Sequence, residues 1–366
     1  MASVGARWVQ AGRLPFAAQR GVKMSNEQSV RVEPPAAIPG GEVSVECSGY
    51  DTSNLRACRV TFDGAEGRMV GAAPWRVLAL VPETLEEGGE VELYLESGDG
   101  ARTGPALVRV GRRLAEDIHM VANPAVDPDD GSVYVTRSGS RGQRMPVSLF
   151  RIDPDGEMAG VTGEITNPTG IAFDSLGQMY VTSRMDGTVY RVTPFHEVVP
   201  FARDLGVATG LAFDRAGRMY VGDRTGSIHR VNGRGESEVW ALLEPSVAAY
   251  HLAFGPDDYL YVTGPTVASS ESVQRIDRDG RATVFFKGLG RPNGLAFDAG
   301  GNLYVAASYR GRRGVVRITP DGREASLAVA GMNVVGLCFN AAGDMIVATN
   351  EAVYSLPLGV KGTLTR

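Results

Sequence analysis

The sequence predicts an all-β protein: a β-sandwich over residues 30–111, followed by a six-bladed β-propeller over residues 112–366. Three observations carry that expectation. One phrase returns at nearly constant spacing through the last two thirds of the chain, apolar residues alternate at strand rather than helix period, and Gly and Pro cluster between the alternating runs.

The phrase reads "GIAFDSLGQMYVTS", "GLAFDRAGRMYVGD", "HLAFGPDDYLYVTG", "GLAFDAGGNLYVAA" and "GLCFNAAGDMIVAT". These copies start at Gly170, Gly210, His251, Gly294 and Gly336, forty to forty-three residues apart. A weaker first copy, "NPAVDPDDGSVYVTR", starts at Asn123 and aligns Ala125 with Ala172. Each copy reads as an apolar strand, a turn rich in Asp, Gly and Ala, and an alternating strand. A third strand such as "GTVYRVTP" and a fourth such as "EVVPFA" complete the unit. Four strands in 40 to 45 residues describe a propeller blade, whose edges are hidden by radial packing.

The last copy leaves room for only three strands before a short tail, so "LVRVGRRLAEDIHMV", just before the first copy, is expected to supply the fourth and close the ring. In the phrase itself, alternate residues of "LAFD" and "LYVA" fill the space between blades. The leading Gly lets backbone crowd at the axis, and the turn bends the hairpin.

Residues 30–111 follow another grammar, with short alternating strands divided by Gly and Pro turns. The Pro-Gly-Gly opening, the Gly-Tyr after the second strand, "VTFDG", "VP" and the closing "GPALVRV" resemble the immunoglobulin-like IPT/TIG domain over residues 31–111. That resemblance implies an immunoglobulin-like sandwich used for interaction or spacing, not catalysis.

Composition removes several function classes. The chain of 366 residues carries 37 Lys and Arg against 42 Asp and Glu, with no concentrated basic stretch, so nucleic acid is not an expected partner. No run of eighteen apolar residues exists to enter a membrane. Residues 1–29 read as an N-terminal extension, disordered or upstream of a natural start at Met24. They are Arg-rich and acid-poor like an organelle presequence but lack the apolar core of a secretory signal, so a cytoplasmic location is expected. Of three cysteines, Cys338 reads as a small buried hydrophobe. Cys47 and Cys58 flank a turn-rich segment at a spacing that does not set their distance, and without an export signal the thiol form is expected.

The repeated "GLAFDxxGxLYV" resembles the group of NHL-repeat proteins and the regucalcin/gluconolactonase family, over about two thirds of the chain. The resemblance implies a divalent cation (Ca, Mg, Mn or Zn) held at the channel by a Glu near the start of blade one, Asn residues and an Asp from a later blade. Such an ion would polarise a lactone carbonyl and activate water. Asn293 in "RPNGLAFD" matches one Asn position. "ANPAVD" stands where the family's acidic blade-one motif would be, leaving Asn293, Asp223 and Asn123 as the candidate metal ligands. The other positions equivalent to Asn293 are Thr169, Thr209, Tyr250 and Val335, with Asn123 or Ala122 in the first copy. A ring without a carboxylate compensates a dehydrated cation poorly.

Further candidates follow the second strands. Asp223 and Asn350 suit either the channel or a turn, and Asn167 a loop before proline. Arg184, Arg224 and Arg310, with Tyr309 beside the last, would ring the channel mouth and favour a carboxylate or other anion. His251 replaces the repeat's Gly and follows Tyr250, so it is the candidate general base, against the simpler reading of a packed aromatic pair. His119 is a further channel candidate; His196 and His229 are expected on outer strands. The expected function is therefore a propeller binding module, taking a small molecule or a protein partner at its channel face. A gluconolactonase-type hydrolase and a structural scaffold are the alternatives.

Overall fold

The computed structural model describes residues 30–139, 143–267 and 271–363; the readings made for residues 1–29 lie outside them. Within these residues every element is a strand, and no helix is long and apolar enough to cross a membrane. Residues 31–110 form two sheets face to face. One pairs Arg31–Glu33, Glu42–Glu46, Arg76–Leu80 and Arg68–Ala73, and the other is built on Gly89–Glu96 and Arg102–Val110. Alternation places Val43, Val45, Phe62, Val77, Leu93, Leu95 and Val108 between the two sheets.

Beyond residue 111, the described strands form four-stranded antiparallel units in chain order. The innermost strand of each unit lies against that of the next. Ala125–Val126 of the first unit touches both Pro168–Phe173 and Val334–Phe339, so the succession closes on itself. The sixth unit takes its fourth strand from Arg112–Ala115, which pairs antiparallel with Val353–Pro357. Only that short piece of the expected closing segment does so; its "LVRV" lies in the sandwich strand Arg102–Val110.

The repeat phrase has a physical role at each position. The tyrosine of "LYV" packs edge-on against the phenylalanine of the next unit's "AFD". Ring centroids lie 5.6 Å apart for Tyr134 and Phe173, 4.8 Å for Tyr261 and Phe297, and 5.2 Å for Tyr304 and Phe339. The turn aspartates act through their side chains: Asp174 Oδ1 accepts from the backbone of Leu176 and Gln178, and Asp214 Oδ1 from Ala216 and Arg218. In the sixth unit Ile346 replaces the tyrosine and packs in an aliphatic cluster with Ile118, Met120 and Val133. The ring therefore closes on aliphatic rather than aromatic contact.

Sandwich and propeller share a sheet. Ala36–Ala37 runs parallel between Arg102–Val110 and the propeller strand Ala325–Ala330. Ile38 N donates to Ala330 O at 2.9 Å, and the Arg312 guanidinium donates to the carbonyls of Glu33 and Glu42. The two parts are thus held by backbone hydrogen bonds as well as side-chain packing.

Cys47, Cys58 and Cys338 are free thiols, and burial pushes the thiols of Cys47 and Cys338 upward.

Candidate functional site

The end of the propeller that bears the loops after each second strand, and the connections between units, gathers most of the candidate residues. Three members of the inferred ring are closed in. The Thr169 hydroxyl meets that of Thr182 at 3.0 Å and the carbonyl of Ala208 at 3.2 Å. Thr209 Oγ1 donates to Gly222 O at 3.0 Å and accepts from Tyr250 N at 3.1 Å. Tyr250 is buried, its hydroxyl donating to Glu244 O, and burial with nearby Asp223 and Glu244 pushes it up to about 12. These positions build contacts between units because second-strand threonines reach the next inner strand. Thr136, Thr182 and Thr263 donate to the carbonyls of Thr169, Thr209 and Asn293 respectively.

Asn123 also serves the ring. Its Nδ2 donates to Leu295 O at 3.0 Å and its Oδ1 accepts from Leu337 N at 3.1 Å, so one amide ties the first unit to the fifth and sixth. Asp223 is committed to its turn: Oδ1 accepts from Val207 N at 2.9 Å and Thr225 N at 3.0 Å, and Oδ2 from the Thr225 hydroxyl. Among the described residues, no three His, Cys, Asp or Glu side chains converge as a metal-binding group. Asn167 and Asn350 have buried side-chain oxygens without a donor, and with Asn293 they offer neutral amides. This donor set lacks the negative charge that a hard cation in a partly dehydrated site requires, so the residues present do not fit the divalent cation that the resemblance implies.

His251 is buried without a hydrogen bond to its ring among the described residues, and desolvation lowers its pKa to about 4. At that pKa the imidazole is neutral near pH 7, and the simpler reading of a packed aromatic pair with Tyr250 accounts for its burial. Small neighbours accommodate the adjoining Tyr250, since a Cβ on Gly222 or Gly264 would stand 3.0 Å and 2.7 Å from it. His119 is exposed at the same end, and its carbonyl accepts from Ser138 N. His196 sits in an exposed turn. His229, expected at the surface, is half-buried in the third strand of its unit, where desolvation lowers its pKa against the opposing pull of Asp223.

The arginines separate into groups. Burial, with the charge of Arg224 acting in the same sense, lowers the pKa of half-buried Arg184. Arg310 instead stacks over its own neighbour Tyr309, 5.1 Å from the ring centroid. Two arginines not singled out from the sequence, Arg291 and Arg313, line a cleft of about 360 Å³ between the fifth and sixth units with Asn293, Ser308, Asn333 and Asn350. Burial raises the pKa of Glu271, whose carboxylate accepts from the backbone of Arg291 and Thr266. Arg291 itself is held at φ 47°. The Arg of "GRPNG" two places before Asn293 was the available signal, but a loop arginine is ordinarily solvated.

The closed succession of four-stranded units defines a β-propeller, and comparison with solved structures places it among known ones. The fold is similar to a gluconolactonase from Xanthomonas campestris, at TM-score 0.57 and 16% identity over 80% of this chain and 94% of that one. It is also similar to a calcium-binding protein, regucalcin, from Agrobacterium tumefaciens, at TM-score 0.56 and 19% identity over 69% and 95%. An auxiliary nutrient binding protein from Bacteroides thetaiotaomicron aligns at TM-score 0.52 and 13% identity over 90% of this chain and 97% of that one. No protein-family model matches the sequence, and no curated protein matches it.

Proposed function

We propose that this chain is a six-bladed propeller preceded by an immunoglobulin-like, IPT/TIG-type sandwich, acting as a binding module for a small anionic molecule at the loop-bearing end of the propeller. The observation that carries the reading is the chemistry of that end. Arg184 and Arg224 follow second strands there, the charge of the second acting on the first, and Arg291 and Arg313 line a cleft shared with three asparagines, while the candidate carboxylate Asp223 is consumed by its own turn. Guanidinium forks and amides recognise oxyanions, whereas lactone hydrolysis of the gluconolactonase type needs a charged ligand set for its cation. The likeness to a nutrient binding protein along both parts of the chain supports binding, with the sandwich as spacer or docking unit. The NHL-type repeat serves as scaffold in this reading. The expected setting is cytoplasmic, without nucleic-acid or membrane partners.

The second reading, a metal-dependent lactone or ester hydrolase, is favoured by one observation: Asn293 stands in "RPNGLAFD" and lines the cleft. A panel of small anions and their uncharged counterparts, screened by thermal shift and calorimetry, tests the first reading beside lactone turnover assays with Ca, Mg, Mn and Zn. Saturable anion binding without turnover is the expected result. Cation-dependent turnover that disappears in Asn293→Ala would establish the hydrolase instead, and a protein that binds nothing in the panel would point to a scaffold.

A further inference from the structure

The cleft between the fifth and sixth units carries charge of one sign. Arg291 and Arg313 are exposed side chains without an ion pair among the described residues, and no acidic side chain is in the lining. The carboxylate of Glu271, which is not in the lining, accepts from the Arg291 backbone N–H. Asn293, Asn333, Asn350 and Ser308 supply donors and acceptors around the two cations.

Size and chemistry together narrow the ligand. A volume of about 360 Å³ is at the small end of ligand pockets. Two guanidinium groups match oxyanions bidentately, and amides and a hydroxyl match alcohols better than they match apolar surface. Gly290, Gly314 and Gly331 line the cleft without side chains, beside the apolar Ala307, Val334 and Val335, and Asn293 N donates to Ala306 O at 2.8 Å. Gly314, at φ 150°, has Val329 O 1.9 Å from where its Cβ would stand, so no larger residue fits at that position.

The geometry points to this cleft as the binding site for a small hydroxylated carboxylate, with Arg291 and Arg313 holding the carboxyl group and the asparagines and Ser308 reading its hydroxyls. The inference rests on the binding-module reading and localises it. Arg184 and Arg224, on the earlier loops, do not line this cleft.

The test uses the full chain with tartrate as probe, threitol as the uncharged counterpart and inorganic phosphate as the competing anion, read by calorimetry. Tartrate binds saturably and threitol does not. Arg291→Ala and Arg313→Ala each weaken tartrate about tenfold or more, and Arg234→Ala on a distant exposed turn leaves it unchanged. The circular dichroism and melting of each variant are compared with wild type, so that loss of fold is separated from loss of ligand. Ser308→Ala removes a lining hydroxyl without a charge change and also weakens tartrate. Tartrate binding that survives in Arg291→Ala/Arg313→Ala but vanishes in Arg184→Ala/Arg224→Ala would overturn this site while leaving the binding-module reading intact. Phosphate bound at the cleft in place of tartrate would overturn the carboxylate class, and failure of every anion in the panel would overturn both.

Discussion

Asn123 and Gly294 occupy the same space at the axis: a Cβ built on Gly294 would stand 1.8 Å from Asn123 Oδ1 and 2.5 Å from Gly336 Cα. The amide of the first unit is inserted where the fifth and sixth units have shed their side chains, and it hydrogen-bonds both. Asn123→Ala removes two partly buried hydrogen bonds and is expected to cost about 2 kcal/mol, measured as a lowered denaturation midpoint. Gly294→Ala is expected to cost at least as much through overlap. Because the two changes act on one contact, Gly294→Ala costs less in the Asn123→Ala background than in wild type. Strict additivity of the two changes would show that the contact does not hold the axis together.

The buried His251 makes stability depend on pH. Its pKa falls to about 4 in the folded chain by desolvation, below the ordinary histidine value of 6.5. Between those values the unfolded chain binds a proton that the folded chain refuses. Stability is therefore fully present above about pH 6.5 and declines as pH falls toward 4, by about 3 kcal/mol over the window. Thermal midpoints of wild type and His251→Gln between pH 4.5 and 7 check this. The variant is expected to show a flatter profile, and parallel profiles would mean that His251 does not cause the decline.

Arg312 joins the two parts of the molecule. Its guanidinium, whose pKa is lowered by burial, reaches from the propeller's fifth unit to the carbonyls of Glu33 and Glu42 in the sandwich. Arg312→Met keeps the aliphatic stem and removes those bonds, at a cost of about 2 kcal/mol. Scanning calorimetry is expected to resolve an earlier sandwich transition from the propeller's. A single unchanged endotherm in the variant would assign the coupling to the parallel strand Ala36–Ala37 alone.

The parts of the fold that were legible share one property: their physics is local or periodic. The tyrosine, phenylalanine and aspartate of each repeat recur because every unit faces the same neighbour, so a period in the chain reports a contact in space. The candidate site was only partly legible. Aligning Asn123 with Asn293 gave them like chemistry, yet one amide is consumed by two backbone groups and the other lines a cleft. Arg310 and Arg184 look equivalent in the repeat, but one stacks on a tyrosine and the other is half-buried with its pKa lowered by desolvation.

By itself the sequence determined that this is an all-β chain of repeated four-stranded units behind a stretch of different grammar, because strand period, turn residues and repeat length are written along the chain. Tertiary structure alone decided which polar groups remain free for a ligand. Hydrogen-bond saturation depends on neighbours far away in sequence: Leu337 closes Asn123, Val207 closes Asp223, and Arg291 and Arg313 of the fifth unit share a cleft with Asn333 and Asn350 because the sixth unit packs beside it.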